Sequence, residues 1–143
     1  MKIIKFDLND MEKKQDGFSC YILGRSYDLE EKGAKQDFSC ALMWYNKGIE
    51  QKNPLCVYSL GISYEMGLRD IKKDQKKAFE IIKRCADNGH IAAIYDLGAN
   101  FYYNGNGTKM NKKLAEYYLK MAKDAGLKRA IEKYSQYEFG EER

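Results

Sequence analysis

The chain has 143 residues, enough for one domain, and its 44% apolar and 32% charged residues are the proportions of a globular fold. Its 25 basic and 21 acidic side chains leave a formal charge of +4, too slight an excess for a dedicated nucleic-acid binder. No apolar run approaches the roughly 20 residues of a membrane span. Lys5 and Asp7 break the opening MKIIKFDL, which does not read as a signal peptide, so the expected compartment is cytoplasmic.

In chain order, the first feature is the helical face shared by Ile4, Leu8 and Met11 within residues 1–17. It reads either as a helix capping the next unit or as an extended arm. Leu-Gly then recurs at Leu23–Gly24, Leu60–Gly61 and Leu97–Gly98, each 37 residues after the last, and degenerates at Tyr134–Ser135. The same offset aligns Tyr27, Tyr64 and Phe101, then Asp37, Asp74 and Asn111, then Ala41, Ala78 and Ala115. Trp44, Ile81 and Tyr118 fall in register too, as do the small residues Gly48, Cys85 and Ala122. Residues 18–54, 55–91 and 92–128 thus read as three units, and 129–143 as a partial fourth with a capping helix.

Each unit predicts two helices. The first carries Leu-Gly, with an aromatic three residues after the glycine. The second starts at Asp37, Asp74 or Asn111, whose side chains can accept from the free N–H groups of a helix start. Gly89 and Gly126 follow second helices, where a left-handed residue is expected, and Asn53–Pro54 takes that place in the first unit, with Pro54 suited to open the next helix. A glycine inside a helix costs about 1 kcal/mol against alanine, so Gly24, Gly61 and Gly98 predict a close neighbour. The column Gly48, Cys85 and Ala122 is the expected one. Helix pairs of this kind bury their apolar faces only by stacking. In the last unit Ala130, Ile131, Tyr134 and Tyr137 would close the stack.

Two residue types remain. Cys20, Cys40, Cys56 and Cys85 form no close pair, so neither a zinc site nor a redox motif is expected, and the thiols read as small apolar residues. His90 is the one histidine and falls in a turn with no identifiable catalytic partner. No cofactor or metal is implied.

The pattern resembles the Sel-1-like repeat family, relatives of the tetratricopeptide repeat. The third unit carries it most fully, with Ala93, Leu97, Gly98, Phe101, Gly105, Gly107, Asn111, Ala115, Tyr118, Ala122 and Gly126. The second matches at Leu60, Gly61, Tyr64, Gly67, Asp74, Ala78, Ala86 and Gly89, and the first at Leu23, Gly24, Tyr27, Gly33, Asp37, Ala41 and Trp44. The resemblance implies an all-α, right-handed α-solenoid of about three and a half helix–turn–helix repeats.

It also implies a non-enzymatic protein–protein interaction module, an adaptor, scaffold or regulator, whose concave groove of first helices receives a peptide or protein. An immunity protein of a bacterial toxin is one form of this. In tetratricopeptide geometry the groove would present Tyr21, Arg25 and Asp28, then Tyr58, Ile62 and Glu65, then Tyr95 and Tyr102. Tyr21, Tyr58 and Tyr95 share a column, either as a ladder of phenols for a partner or as scaffold. A second feature is the basic edge of Lys72, Lys73, Lys76 and Lys77 with Lys109, Lys112 and Lys113. It is either a solvated edge or a surface for an acidic partner, an anionic surface or nucleic acid. A hydrolase with its site in the groove is the reading from a third class.

Overall fold

We describe residues 7–137 of a computed structural model of the protein. The described residues are helical, without strands. Helix α1 (Leu8–Lys14) precedes three helix pairs: α2 (Gly17–Leu29) with α3 (Phe38–Glu50), α4 (Pro54–Met66) with α5 (Gln75–Asp87), and α6 (Ile91–Asp96) with α7 (Lys112–Asp124). Helix α6 runs on into a π-helical segment, Leu97–Tyr102, and α8 (Lys128–Gln136) closes the chain. Each second helix packs on the first helix of its own unit and on that of the next, which makes the fold an α-solenoid.

The caps recur with the repeat. Asp37, Asp74 and Asn111 each accept the backbone N–H of the residue three further on, at 3.0 to 3.1 Å. A second column caps the first helices. Asp16 accepts from Ser19 at 2.7 Å, Asn53 from Leu55 and Cys56, and His90 Nδ1 from Ala93 at 3.3 Å. His90 therefore stands where its neighbours carry Asp and Asn, and its role is that of a helix cap.

The helix glycines are explained by a different column from the one expected. A Cβ on Gly24 would lie 2.6 Å from the Tyr45 ring, one on Gly61 2.7 Å from Ile82, and one on Gly98 2.8 Å from the backbone nitrogen of Leu119. Tyr45, Ile82 and Leu119 are themselves one register, and they are the neighbours that exclude a side chain. Gly48 instead faces Cys56 and Cys20, from the first helices on either side of it.

The ends are covered by short helices. In α1, Met11 is buried and Leu8 packs beside it on Cys20, Leu23 and Trp44. The share of that face expected of Ile4 lies outside the described residues. At the other end Ala130 is fully buried, and Tyr134 and Tyr137 pack on the core. Ile131, expected to help close the stack, is 46% exposed because it lies on the outer side of α8.

Candidate functional site

The first helices α2, α4 and α6 bring most of the expected groove residues to one side, in unequal states. On α2, Tyr21, Arg25 and Leu29 follow one another at helical i, i+4 spacing. The Tyr21 hydroxyl accepts from Arg25 Nη1 at 3.5 Å, and Arg25 pairs with Glu31 at 3.4 Å while remaining exposed. On α4 the same stripe is Tyr58, Ile62 and Met66, with Ile62 half-buried on the core and Met66 62% exposed.

Asp28 departs from expectation. Its Oδ2 lies 2.5 Å from Arg69 Nη2, and both side chains are only 11% exposed. Arg69 sits in the turn of the second unit. There it also donates to Ser63 Oγ at 2.6 Å, and its guanidinium lies 5.2 Å from the Tyr45 ring centroid. Asp28 is thereby held in a bond between units rather than presented to a partner. Charge opposition out of water requires such pairing.

Tyr102 is the clearest correction. It is 7% exposed, stacked on Tyr118 at 5.6 Å between centroids and edge-on to Phe79, so it belongs to the core. The cause is the π-helical segment, which inserts one residue into the helix. In the first two units the cap residue donates its N–H to the carbonyl of Tyr27 or Tyr64; in the third, Asn111 donates to Tyr102, one residue past the gap-free register. The extra residue turns Tyr102 inward, into the place that Tyr27 and Tyr64 hold.

The tyrosine column has three different environments. Tyr58 donates its hydroxyl to Asp96 Oδ2 at 2.5 Å, and its ring lies 4.5 Å from that of His90. Tyr95 lies beneath the Arg129 guanidinium at 4.7 Å. Asp96 was not singled out from the sequence, because its register holds Ile22 and Ser59 in the other units and nothing marks it as acidic. It is 6% exposed, and burial pushes its carboxyl up to about 6. Glu65 nearby accepts from Asn100 Nδ2 at 3.3 Å, and burial, then the charge of Asp96, pushes it up to about 7. The face between α4 and α6 thus holds two carboxyls whose burial is only partly offset by the hydrogen bonds from Tyr58 and Asn100 and by the nearby Arg129 and Lys73.

The lysines of the basic edge, Lys72, Lys73, Lys76, Lys77, Lys109, Lys112 and Lys113, are all exposed. Gly107 packs so closely on the Gln75 carbonyl that a Cβ would collide, which sets the third unit's turn against the start of α5. The two lysine groups are therefore neighbours. Lys77 lies over Tyr64 at 5.2 Å and Lys112 over Tyr103 at 5.6 Å. Among the described residues no three of His, Cys, Asp and Glu come together as a metal site would need, and no helix is long and apolar enough to cross a membrane. The four thiols are unpaired, and burial pushes that of Cys56 up to about 12.

Comparison with known proteins gives this geometry its family. The Sel1 repeat model matches residues 17–53, 54–90 and 91–127, most of the chain. The chain belongs to the Sel1 repeat family. Sel1 repeats are in general protein-interaction modules, and the family is one of non-catalytic scaffolds. A Sel1 repeat protein from Oxalobacter formigenes is 27% identical and superposes with a TM-score of 0.76, over 91% of this chain and 96% of that one. The protective antigen c5321 of uropathogenic Escherichia coli, which has the SLR fold, is 24% identical with a TM-score of 0.81, over 88% of this chain and 27% of that longer one. Helicobacter pylori cysteine-rich protein B is 21% identical, with a TM-score of 0.63 over 87% of this chain and 95% of its own. Among curated proteins none matches the chain by sequence. Each matched unit is a capped helix pair around a Leu-Gly.

Proposed function

We propose that this protein is an interaction module that receives a peptide or protein segment along the face of its first helices. The observation that carries the reading is the pair of stripes on α2 and α4 that end in Leu29 and Met66, 54% and 62% exposed. A folded chain seldom leaves large apolar side chains aligned and uncovered on adjoining elements without a use for them. Arg25 and Glu65 border them with opposite charges. Tyr21, Ile62 and Tyr95 supply the half-buried surroundings that suit a recognition surface. Asp28 and Tyr102 take no part, and Tyr58 contributes only the part of its half-buried ring that His90 leaves uncovered, its hydroxyl being held by Asp96.

The negative charge at Glu65 and Asp96 favours a segment with a lysine or arginine at that point. The setting we propose is the reducing cytoplasm, in which four unpaired thiols are stable. A bacterial toxin is one class of partner within this reading.

Affinity capture from the native host, with mass spectrometry, tests it. The wild-type chain is compared with an Arg25→Ala/Met66→Ala variant shown to be folded by circular dichroism. A stoichiometric partner lost in the variant is the expected result. A partner kept by both proteins would sink the first-helix face as the site. If that partner is released between 0.1 and 0.5 M salt, the lysine edge takes its place, since screening weakens exposed charge contacts.

A further inference from the structure

The opposite side of α4 carries a groove that the neighbouring units fill and the middle unit does not. It has a volume of about 670 Å3, with Val57 and Leu60 on its floor, Ile49 of α3 on one wall and Ile81 and Cys85 of α5 on the other. The positions equivalent to Val57 are Cys20 and Ile94, and those equivalent to Leu60 are Leu23 and Leu97. All four are buried, at 7% exposure or less. Val57 and Leu60 are only half-buried.

The sequence supplies the reason. In the first unit α1 brings Met11 over the site and Trp44 stands in the register of Ile81. In the third unit Tyr118 holds that register, and Ile94 replaces Val57. The middle unit has a smaller residue than the third at both places, and against the first it has Ile81 for Trp44 and no counterpart of Met11 over Val57, so the space stays open.

The rim of the groove is basic. Lys52 and Arg84 are exposed and have no ion pair among the described residues. His90 also lines it, and because its Nδ1 accepts the Ala93 N–H, the proton of the neutral ring sits on Nε2, as a donor. No carboxylate lines the space. Its backbone has nothing to offer a peptide, however. Walls and floor are helices, and the amides of Lys52, Asn53, Asn88, Gly89 and His90 in the turns are bonded to carbonyls of the same chain. An extended peptide laid there would leave its own amides unpaired at a cost, whereas a hydrocarbon chain has none to pair.

We infer that this groove binds a linear apolar carboxylate of the medium-chain fatty-acid class, its tail between α3 and α5 and its head group at Lys52, Arg84 and His90. A volume of this size lies within the roughly 300–1,000 Å3 of small-molecule sites. The inference is independent of the partner face, which lies on the other side of α4.

Dodecanoate is the probe, titrated below its micelle concentration into the full chain and followed by calorimetry and by methyl shifts in NMR. Saturable one-to-one binding is expected, with shifts at Val57, Leu60 and Ile81. Val57→Ile/Ile81→Tyr copies the filling of the third unit and should weaken binding by a factor of ten or more. Lys52→Gln/Arg84→Gln should weaken dodecanoate about tenfold and leave dodecanol unaffected. Absence of saturable binding to the wild type would overturn the inference. So would binding unchanged in a folded filled variant, or tighter binding of dodecylammonium than of dodecanoate. Should the filled variant not fold, shifts confined to methyls outside the groove would overturn it equally.

Discussion

Asp28 and Arg69 show how a residue chosen for its exposed chemistry can be tied into the framework. Removing one partner of a buried pair leaves the other charge without compensation, at a cost of about 3–5 kcal/mol. Asp28→Ala is therefore expected to lower the urea midpoint sharply, while Asp28→Leu/Arg69→Met recovers most of the loss because no charge is left buried. Equal losses in the single and double variants would show that the pair is not what matters there. Glu65 makes a second prediction at this scale. Its carboxyl lies at about 7 in the folded chain against 4.5 ordinarily, so the unfolded chain loses that proton first. Stability contributed at Glu65 is then full below about pH 4.5 and falls as pH rises to about 7. Denaturation midpoints at pH 5 and pH 7.5 should differ less in Glu65→Gln than in the wild type, and an unchanged difference would refute the assignment.

At the scale of the element, the helix glycines are alike in sequence and unlike in what they face. In Gly61→Ala the new methyl meets the end of the Ile82 side chain at 2.7 Å, which can rotate away. In Gly98→Ala it meets the Leu119 nitrogen and the Ala115 carbonyl at 2.8 and 2.9 Å, and backbone cannot. Gly98→Ala should thus cost about 1–3 kcal/mol, the range of an overpacked core, beyond the helix propensity it gains. Gly61→Ala should cost less, and thermal denaturation of the two variants measures the difference. The register of the elements was legible in the repeat of 37 residues, and so were the caps Asp37, Asp74 and Asn111. The column Asp16, Asn53 and His90 has the same spacing, but histidine is not among the residue types that mark a helix start, so its third member was not legible as a cap. The π-helical segment was not legible, since the residue it adds to the helix is taken from the turn that follows, and Asn111 still falls 37 residues after Asp74.

The whole molecule is a short stack, and its ends decide how cooperatively it holds together. Helix α8 covers the third unit with Ala130, Tyr134 and Tyr137. Ending the chain at Gly126 uncovers that apolar surface. A loss of about 1–2 kcal/mol would lower Tm by roughly 4–8 °C. Calorimetry of the shortened chain should find that fall together with a broader transition, and an unchanged Tm would mean that α8 does not act as a cap.

Taken alone, the sequence determined the repeat, the capped helix pairs, the family and the list of side chains near the first-helix face. Those features are local or periodic, and each is written in residues a fixed number of positions apart. Tertiary structure decided which of those side chains are left for a partner. It bound Asp28 to Arg69 across 41 positions, turned Tyr102 inward through one inserted residue, and set Asp96 beneath Tyr58. It also left the middle unit's groove open, because whether a space is filled depends on side-chain volumes brought together from three helices, which no spacing along the chain records.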